Sequence, residues 1–173
     1  MSDVGHSAEA RSTNFLLTVG TSKQLRFAVQ SSNITEVILN FTAYPSTGKD
    51  LRIPSDKVEL QPLIVDFIVS EDYSEWIEIF KWMMTCKNTP PQRYEEYTRT
   101  CELIALDSQN QPVVSFIYDD CWPTSLEGIT LAINDTDSNV VTSTATLQYN
   151  KFKIRLKDGT IYDEQYIDQQ FNQ

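Results

Sequence analysis

Few residues in this chain could carry acid–base or nucleophilic chemistry, and their positions argue against a shared site. The single histidine, His6, stands in a polar, small-residue-rich N-terminal stretch. A catalytic triad needs a base beside a nucleophile, so neither His-based catalysis nor a His-rich metal site is expected. Two adjacent carboxylate pairs occur, Glu71-Asp72 and Asp119-Asp120. The first pair suits the positive end of a helix. The second pair sits at a strand end, where successive side chains point to opposite faces and cannot share one ligand. A paired-carboxylate hydrolase would have to recruit residues distant in sequence. Cys86, Cys101 and Cys121 are odd in number, widely spaced and form no CxxC. They read as free buried thiols in a reducing compartment. With five glycines in the chain, neither a Walker loop nor a dinucleotide fingerprint is present. The chain is therefore expected to be no enzyme, with no catalytic residue, cofactor or metal.

Charge and aromatic residues carry the remaining chemistry, which is that of binding. The net charge is −10 over 173 residues. Such a balance opposes tight nucleic-acid binding, although an acidic wall suits a conduit along which DNA slides. Four of the fourteen cations, Lys151, Lys153, Arg155 and Lys157, alternate with Phe152, Ile154 and Leu156. That basic stripe is either a solvated face or a seam against an acidic neighbour, which would set register and partner choice. Trp82 falls on the polar side of a helix, with Glu75 and Glu78. Either a loop of the same chain covers it or a neighbouring subunit does, since Trp is enriched at interface hot spots. Trp122, placed before Pro123, reads as half-buried. From patterning alone the candidate interface set is Trp82, Glu75, Glu78, Lys151, Lys153, Arg155, Lys157 and Trp122.

The elements that must position these residues are mostly strands. Residues 1–13 read as a flexible arm, 14–157 as one β domain and 158–173 as an acidic extension. Asn14–Gly20 and Leu25–Gln30 read as a hairpin about Gly20-Thr-Ser-Lys23. Ile34–Phe41 is a further strand, Tyr44–Asp50 a breaker-rich loop, and the stretch up to Pro62 a connection. Leu63–Val69 is almost wholly apolar and reads as a strand buried on both faces. A helix over about residues 72–86 follows, with Asp72 as N-cap and Glu75 completing a capping box. Its core stripe is expected to be Tyr73, Trp76, Ile77, Ile79, Phe80, Met83 and Met84.

Residues 88–98 form a polar connection with two prolines. Strands then resume at Thr100–Leu106 and Val113–Tyr118, joined by the turn Asp107–Pro112, and the second of them ends at Asp119–Thr124. Leu126–Ile133, Val140–Tyr149 and Lys151–Lys157 are further strands. Asp158-Gly159 turns Ile161-Tyr162 back. The fold class is mainly β: an antiparallel sandwich or partly closed barrel with one packed helix. The N-terminus lacks the apolar run of a signal peptide, and no apolar stretch reaches the ~20 residues of a membrane span. Assembly in a cytoplasm without membrane contact is expected.

The run Gln61-Pro-Leu-Ile-Val-Asp-Phe-Ile-Val-Ser-Glu-Asp-Tyr-Ser-Glu-Trp-Ile-Glu-Ile-Phe-Lys-Trp-Met-Met84 is similar to a strand-into-helix signature of the tail tube terminator, or tail completion, proteins of contractile-tailed phages. Phe27-Ala-Val-Gln-Ser31 and Cys121-Trp-Pro-Thr-Ser-Leu126 resemble further pieces of that family. The resemblance is dense over 61–84, thin elsewhere, and spans roughly 14–157. It implies a tail-tube fold: two packed β-sheets with a flanking helix. It also implies a structural virion protein whose hexameric ring caps the tail tube, ends its growth and helps join tail to neck. The implied partners are copies of itself, the tail tube protein, neck and sheath-terminator proteins and a tape-measure protein. DNA would pass through without sequence-specific binding. The major tube protein and baseplate tube initiators share the implied fold and remain alternatives. A monomeric β-sandwich binding module with Trp76, Trp82 and Trp122 as its platform is the alternative from another class.

Overall fold

A computed structural model describes residues 15–20, 29–45, 48–129 and 140–163. Two antiparallel sheets share one long strand. In the first sheet, β1 (Phe15–Val19) pairs with β6 (Arg99–Leu106), and β6 pairs with β7 (Pro112–Leu126). On the other side of β7 lies β9 (Lys151–Leu156), followed by the short β10 (Ile161–Tyr162). The second sheet runs from β2 (Val29–Ser32) through β5 (Leu63–Ile68) and β8 (Thr142–Gln148) to the last part of β7.

The sharing is possible because β7 bends. Asp120 adopts a left-handed backbone, φ 56°, and the register with β6 slips between Arg99 and Cys101. A bulge of this kind twists a strand and re-aims it, which is how a strand turns from one packed sheet into another. Residues up to Cys121 pair with β6, and Trp122–Leu126 pair with β8. The segment was expected to end at 119–124. Pro123 instead continues the strand, and a second register shift between Pro123 and Ser125 absorbs its missing N–H.

The inward faces meet in one core. Leu17 and Val19, Cys101 and Leu103, and Tyr118 and Cys121 come from the first sheet. Leu63, Val65, Phe67, Ala145 and Leu147 come from the second. The helix α1 (Ser74–Asn88) adds Ile79 and Trp82 to the same core. The three cysteines are free thiols, with Cys101 and Cys121 fully enclosed. The mainly β sandwich with one packed helix is as the residue pattern predicts.

Several local expectations are corrected. Among the described residues β1 and β2 lie in different sheets, with distant partners, β6 and β5, while the expected hairpin turn and most of its second strand, 21–28, lie outside those residues. The presumed connection before Pro62 is a strand, β4 (Leu51–Leu60), paired with β3 (Val37–Tyr44). Pro54 is tolerated because it lies beside a register shift in a two-stranded ladder with open outer edges. β5 buries one face only, and Ile64 on the other is exposed. The arm 1–13, the turn at 21–23, residues 130–139 and most of the acidic extension lie outside the described residues.

Candidate assembly surface

The most conspicuous exposed feature is the β3–β4 hairpin. Its strands pair with each other and with no other described strand. Val37, Leu39, Phe41, Leu51, Ile53 and Val58 are 43–58% exposed. The Arg52 guanidinium lies 4.9 Å from the Phe41 ring centroid, a modest shield at most. A lone two-stranded ribbon is marginal in water, and an apolar patch of this extent marks a protein–protein surface. β-branched and aromatic residues favour the strands, but too little of the described chain covers them. The second leg of this hairpin is hidden in the sequence because Pro54 and Pro62 read as the ends of a short connection. The usable signal is the density of apolar residues on both sides of residues 45–50.

The basic stripe lies where alternation placed it, on the outer face of β9. Its cations are largely answered by the same chain. Lys153 Nζ stands 2.9 Å from Asp119, Lys151 Nζ 3.9 Å from Asp120, and Arg155 pairs with Glu102. These are cross-strand partners from β7 and β6, brought opposite by the register Asp119↔Lys151 and Ser115↔Arg155. Thr100 Oγ1 also donates to Asp119, at 3.0 Å. Burial alone would raise the Asp119 carboxyl, but the Lys153 and Thr100 hydrogen bonds and the nearby ammonium groups hold it below its usual value. Lys153 is raised in turn, first by its hydrogen bond to Asp119 and then by that charge. The acidic neighbour expected from another subunit is thus supplied within the chain for these three residues. Lys157 lies farther along, lowering the Asp107 carboxyl through its charge, although backbone hydrogen bonds at Gln111 and Gln109 lower it more.

The helix departs from expectation in an instructive way. Trp82 is 3% exposed. Its indole N–H donates to the Tyr97 carbonyl, and the Arg99 guanidinium sits 4.7 Å from its ring centroid. The segment after α1, including a 3-10 turn at Pro91–Glu96, therefore closes over the ring. Trp82 is a core residue and its assignment to an interface is corrected. The buried face is rotated accordingly, leaving Ile77 and Phe80 40% and 43% exposed. Trp76 stacks on Phe80 with centroids 5.6 Å apart, while its N–H donates to Glu127 O at 3.0 Å.

The cap is also different. Tyr73 occupies the N-cap position in a left-handed conformation, and Asp72 Oδ1 accepts from Ser74 N at 3.2 Å in a local turn. Glu75 reaches back to the backbone N–H and hydroxyl of Ser70. Local hydrogen bonds thus occupy Glu75, which stays half-exposed. Glu78 is half-buried on α1. Trp122 is half-buried within β7, opposite Gln148. The structure does not gather the candidate residues into one patch. Among the described residues no cluster of His, Cys, Asp or Glu could hold a metal ion.

A two-sheet sandwich with a shared bent strand, one packed helix and a projecting apolar ribbon defines a structural subunit of the tail-tube class. The chain matches the family model "T4-like virus tail tube protein gp19" over residues 11–153 and belongs to that family. It is 28% identical over 170 residues to the tail tube terminator protein of Enterobacteria phage T4, covering 90% of this chain and 94% of that protein. Among solved structures it is similar to the tube-terminating cap of the anti-feeding prophage, with a TM-score of 0.68, 15% identity and coverage of 90% and 96%. It is also similar to a chain of the PVC extracellular contractile injection system sheath/tube terminator, with a TM-score of 0.67, 13% identity and coverage of 87% and 99%. These structural likenesses concern the fold.

Proposed function

We propose that this chain is a tail tube terminator: a hexameric ring that caps the finished tube, stops its growth and offers a surface to neck and sheath-terminator proteins. The observation that carries the reading is the β3–β4 hairpin, whose exposed apolar residues need a partner that the described chain does not supply. In a closed ring the ribbon and the open edges of β1 and β2 can be covered by neighbouring copies, which removes the hazard of unpaired edges. The similarity to a phage terminator along nearly the whole chain supports the choice of a capping role. The overall charge of −10 is compatible with DNA passing through the ring unbound. The protein would reside in the virion at the junction of tail and neck.

A second reading is the major tube subunit, favoured by the family model, which is that of a tube protein. The two differ in what they build. Light scattering and negative-stain imaging across concentration, with and without preformed tubes, separate them. Closed rings that bind tube ends and block elongation support the terminator. Open-ended growth into long tubes overturns it in favour of the tube subunit. A monomer that neither closes nor binds tubes overturns both.

A further inference from the structure

The hairpin arm is joined to the sandwich at a narrow base, and one side chain touches both of its legs. Tyr149, between β8 and β9, places its hydroxyl 2.8 Å from Thr35 Oγ1 and 2.8 Å from the Gln61 carbonyl oxygen. Thr35 precedes β3 and Gln61 follows β4. A phenol has one proton. It therefore donates to the Gln61 carbonyl and accepts from the Thr35 hydroxyl, so both bonds can form at once. Thr35 is buried, at 7% exposure, and the Gln61 N–H donates to Glu36 O at 3.1 Å, closing the legs on each other. The Tyr149 ring is itself clamped, edge-on to Tyr118 at 4.9 Å and beside Phe152 at 6.4 Å. The hydroxyl is thus held by the core of the sandwich and not by the arm. Asn33 adds a tether on the β5 side, its Oδ1 accepting from Ile64 N at 2.7 Å.

We propose that Tyr149 is a positioning residue for assembly: its hydroxyl sets the angle at which the β3–β4 hairpin leaves the sandwich, so that a neighbouring copy meets the ribbon in register. This rests on the ring-forming reading above. The leverage is large. An eight-residue strand is roughly 26 Å long at ~3.3 Å per residue, so a swing of about 10° moves the tip by nearly one inter-strand spacing. A small loosening at the base is enough to misplace every pairing group at the far end.

The test uses Tyr149→Phe, which keeps the ring and removes the hydroxyl, and Thr35→Val as a second variant from the other side of the bond. Hydrogen exchange is followed by peptide across the full chain, alongside capping of preformed tubes. The expected result is a rise of about fivefold in exchange over residues 33–62, the factor one ordinary hydrogen bond supplies. Exchange in β5, β6 and β8 stays as in the wild type, and tube capping falls at least tenfold. Unchanged exchange at the base overturns the anchor. A rise spread evenly over the whole chain makes Tyr149 a plain core residue and also overturns it. A looser arm with normal capping overturns the positioning role. A wild-type chain that neither forms rings nor caps overturns the ring reading, and the assembly role with it, whatever the exchange pattern shows.

Discussion

The Arg99 guanidinium lies 4.7 Å from the ring centroid of Trp82, on a residue whose indole N–H is already bonded to Tyr97 O. One segment of backbone, Tyr97–Arg99, thus supplies both an acceptor and a cation to a buried indole. Trp82→Ala is expected to destabilise the chain by ~3–5 kcal/mol, the usual cost of truncating a buried Trp. Trp82→Phe keeps most of the volume but loses the hydrogen bond, for about 1 kcal/mol. Urea unfolding of the two variants checks the order. An Ala variant as stable as the wild type would contradict the burial.

The hairpin behaves oppositely. Leu39→Lys and Phe41→Glu alter residues that are more than half exposed and outside the core. Surface changes of this kind usually stay within ~0.5 kcal/mol. Both variants should keep their melting curve and lose ring formation or tube capping, as read by light scattering and imaging.

The Asp119–Lys153 pair gives stability a defined pH dependence. Asp119 is depressed in the folded state, so its contribution is full above the unfolded carboxylate range and fades as pH falls through the folded value. Lys153 is raised, so its contribution is full below the unfolded lysine range and fades as pH rises through the folded value. Asp119→Asn should flatten the unfolding free energy below roughly pH 4 and again above roughly pH 10. Denaturant titrations at stepped pH measure this. Neither group is fully enclosed, so the change is expected to be small.

Thiol reactivity should divide the cysteines. Cys101 and Cys121 are fully enclosed, and the Cys101 thiol is pushed well up by its hydrogen bond with Cys121 and by burial. Cys86 is half-buried and pushed up by burial, with a backbone hydrogen bond and the Arg99 charge opposing. Thiolate is the reacting form, so a disulfide-exchange reagent should label Cys86 slowly in the native protein. All three should react at once in denaturant.

Asp120 carries the bend of β7 at φ 56°. Asp120→Gly should be tolerated, because glycine adopts this conformation freely and the Lys151 pair it removes is long, with an exposed ammonium. Asp120→Val should cost ~1–2 kcal/mol, because a β-branched residue resists the left-handed region. Thermal melts of the two variants provide the comparison.

Much of this was legible locally. The alternation in Lys151–Leu156 located a strand with one charged and one apolar face. The Asp107 and Asp158-Gly159 turns were readable because each closes on its own neighbours. Asp107 Oδ1 accepts from Gln109 N at 2.7 Å, and Asp158 Oδ1 from Thr160 N at 2.9 Å. The helix was legible to within two residues, since its boundaries depend on nearby side chains. The candidate interface was less so. Trp82 turned out buried because its partners, Tyr97 and Arg99, lie off the helical wheel.

Residue order by itself determined the periods, the turns and the charge balance. Tertiary structure alone decided which strands meet. β1 pairs with a strand more than eighty residues away, Thr18 opposite Glu102, and the cations of β9 meet carboxylates from two other strands. Period fixes which face a side chain takes, but pairing is a competition among all exposed edges. Its outcome depends on which combination buries the most apolar surface at once. The same competition leaves the β3–β4 ribbon uncovered within the described chain, and that residue of unburied surface is what points to a partner.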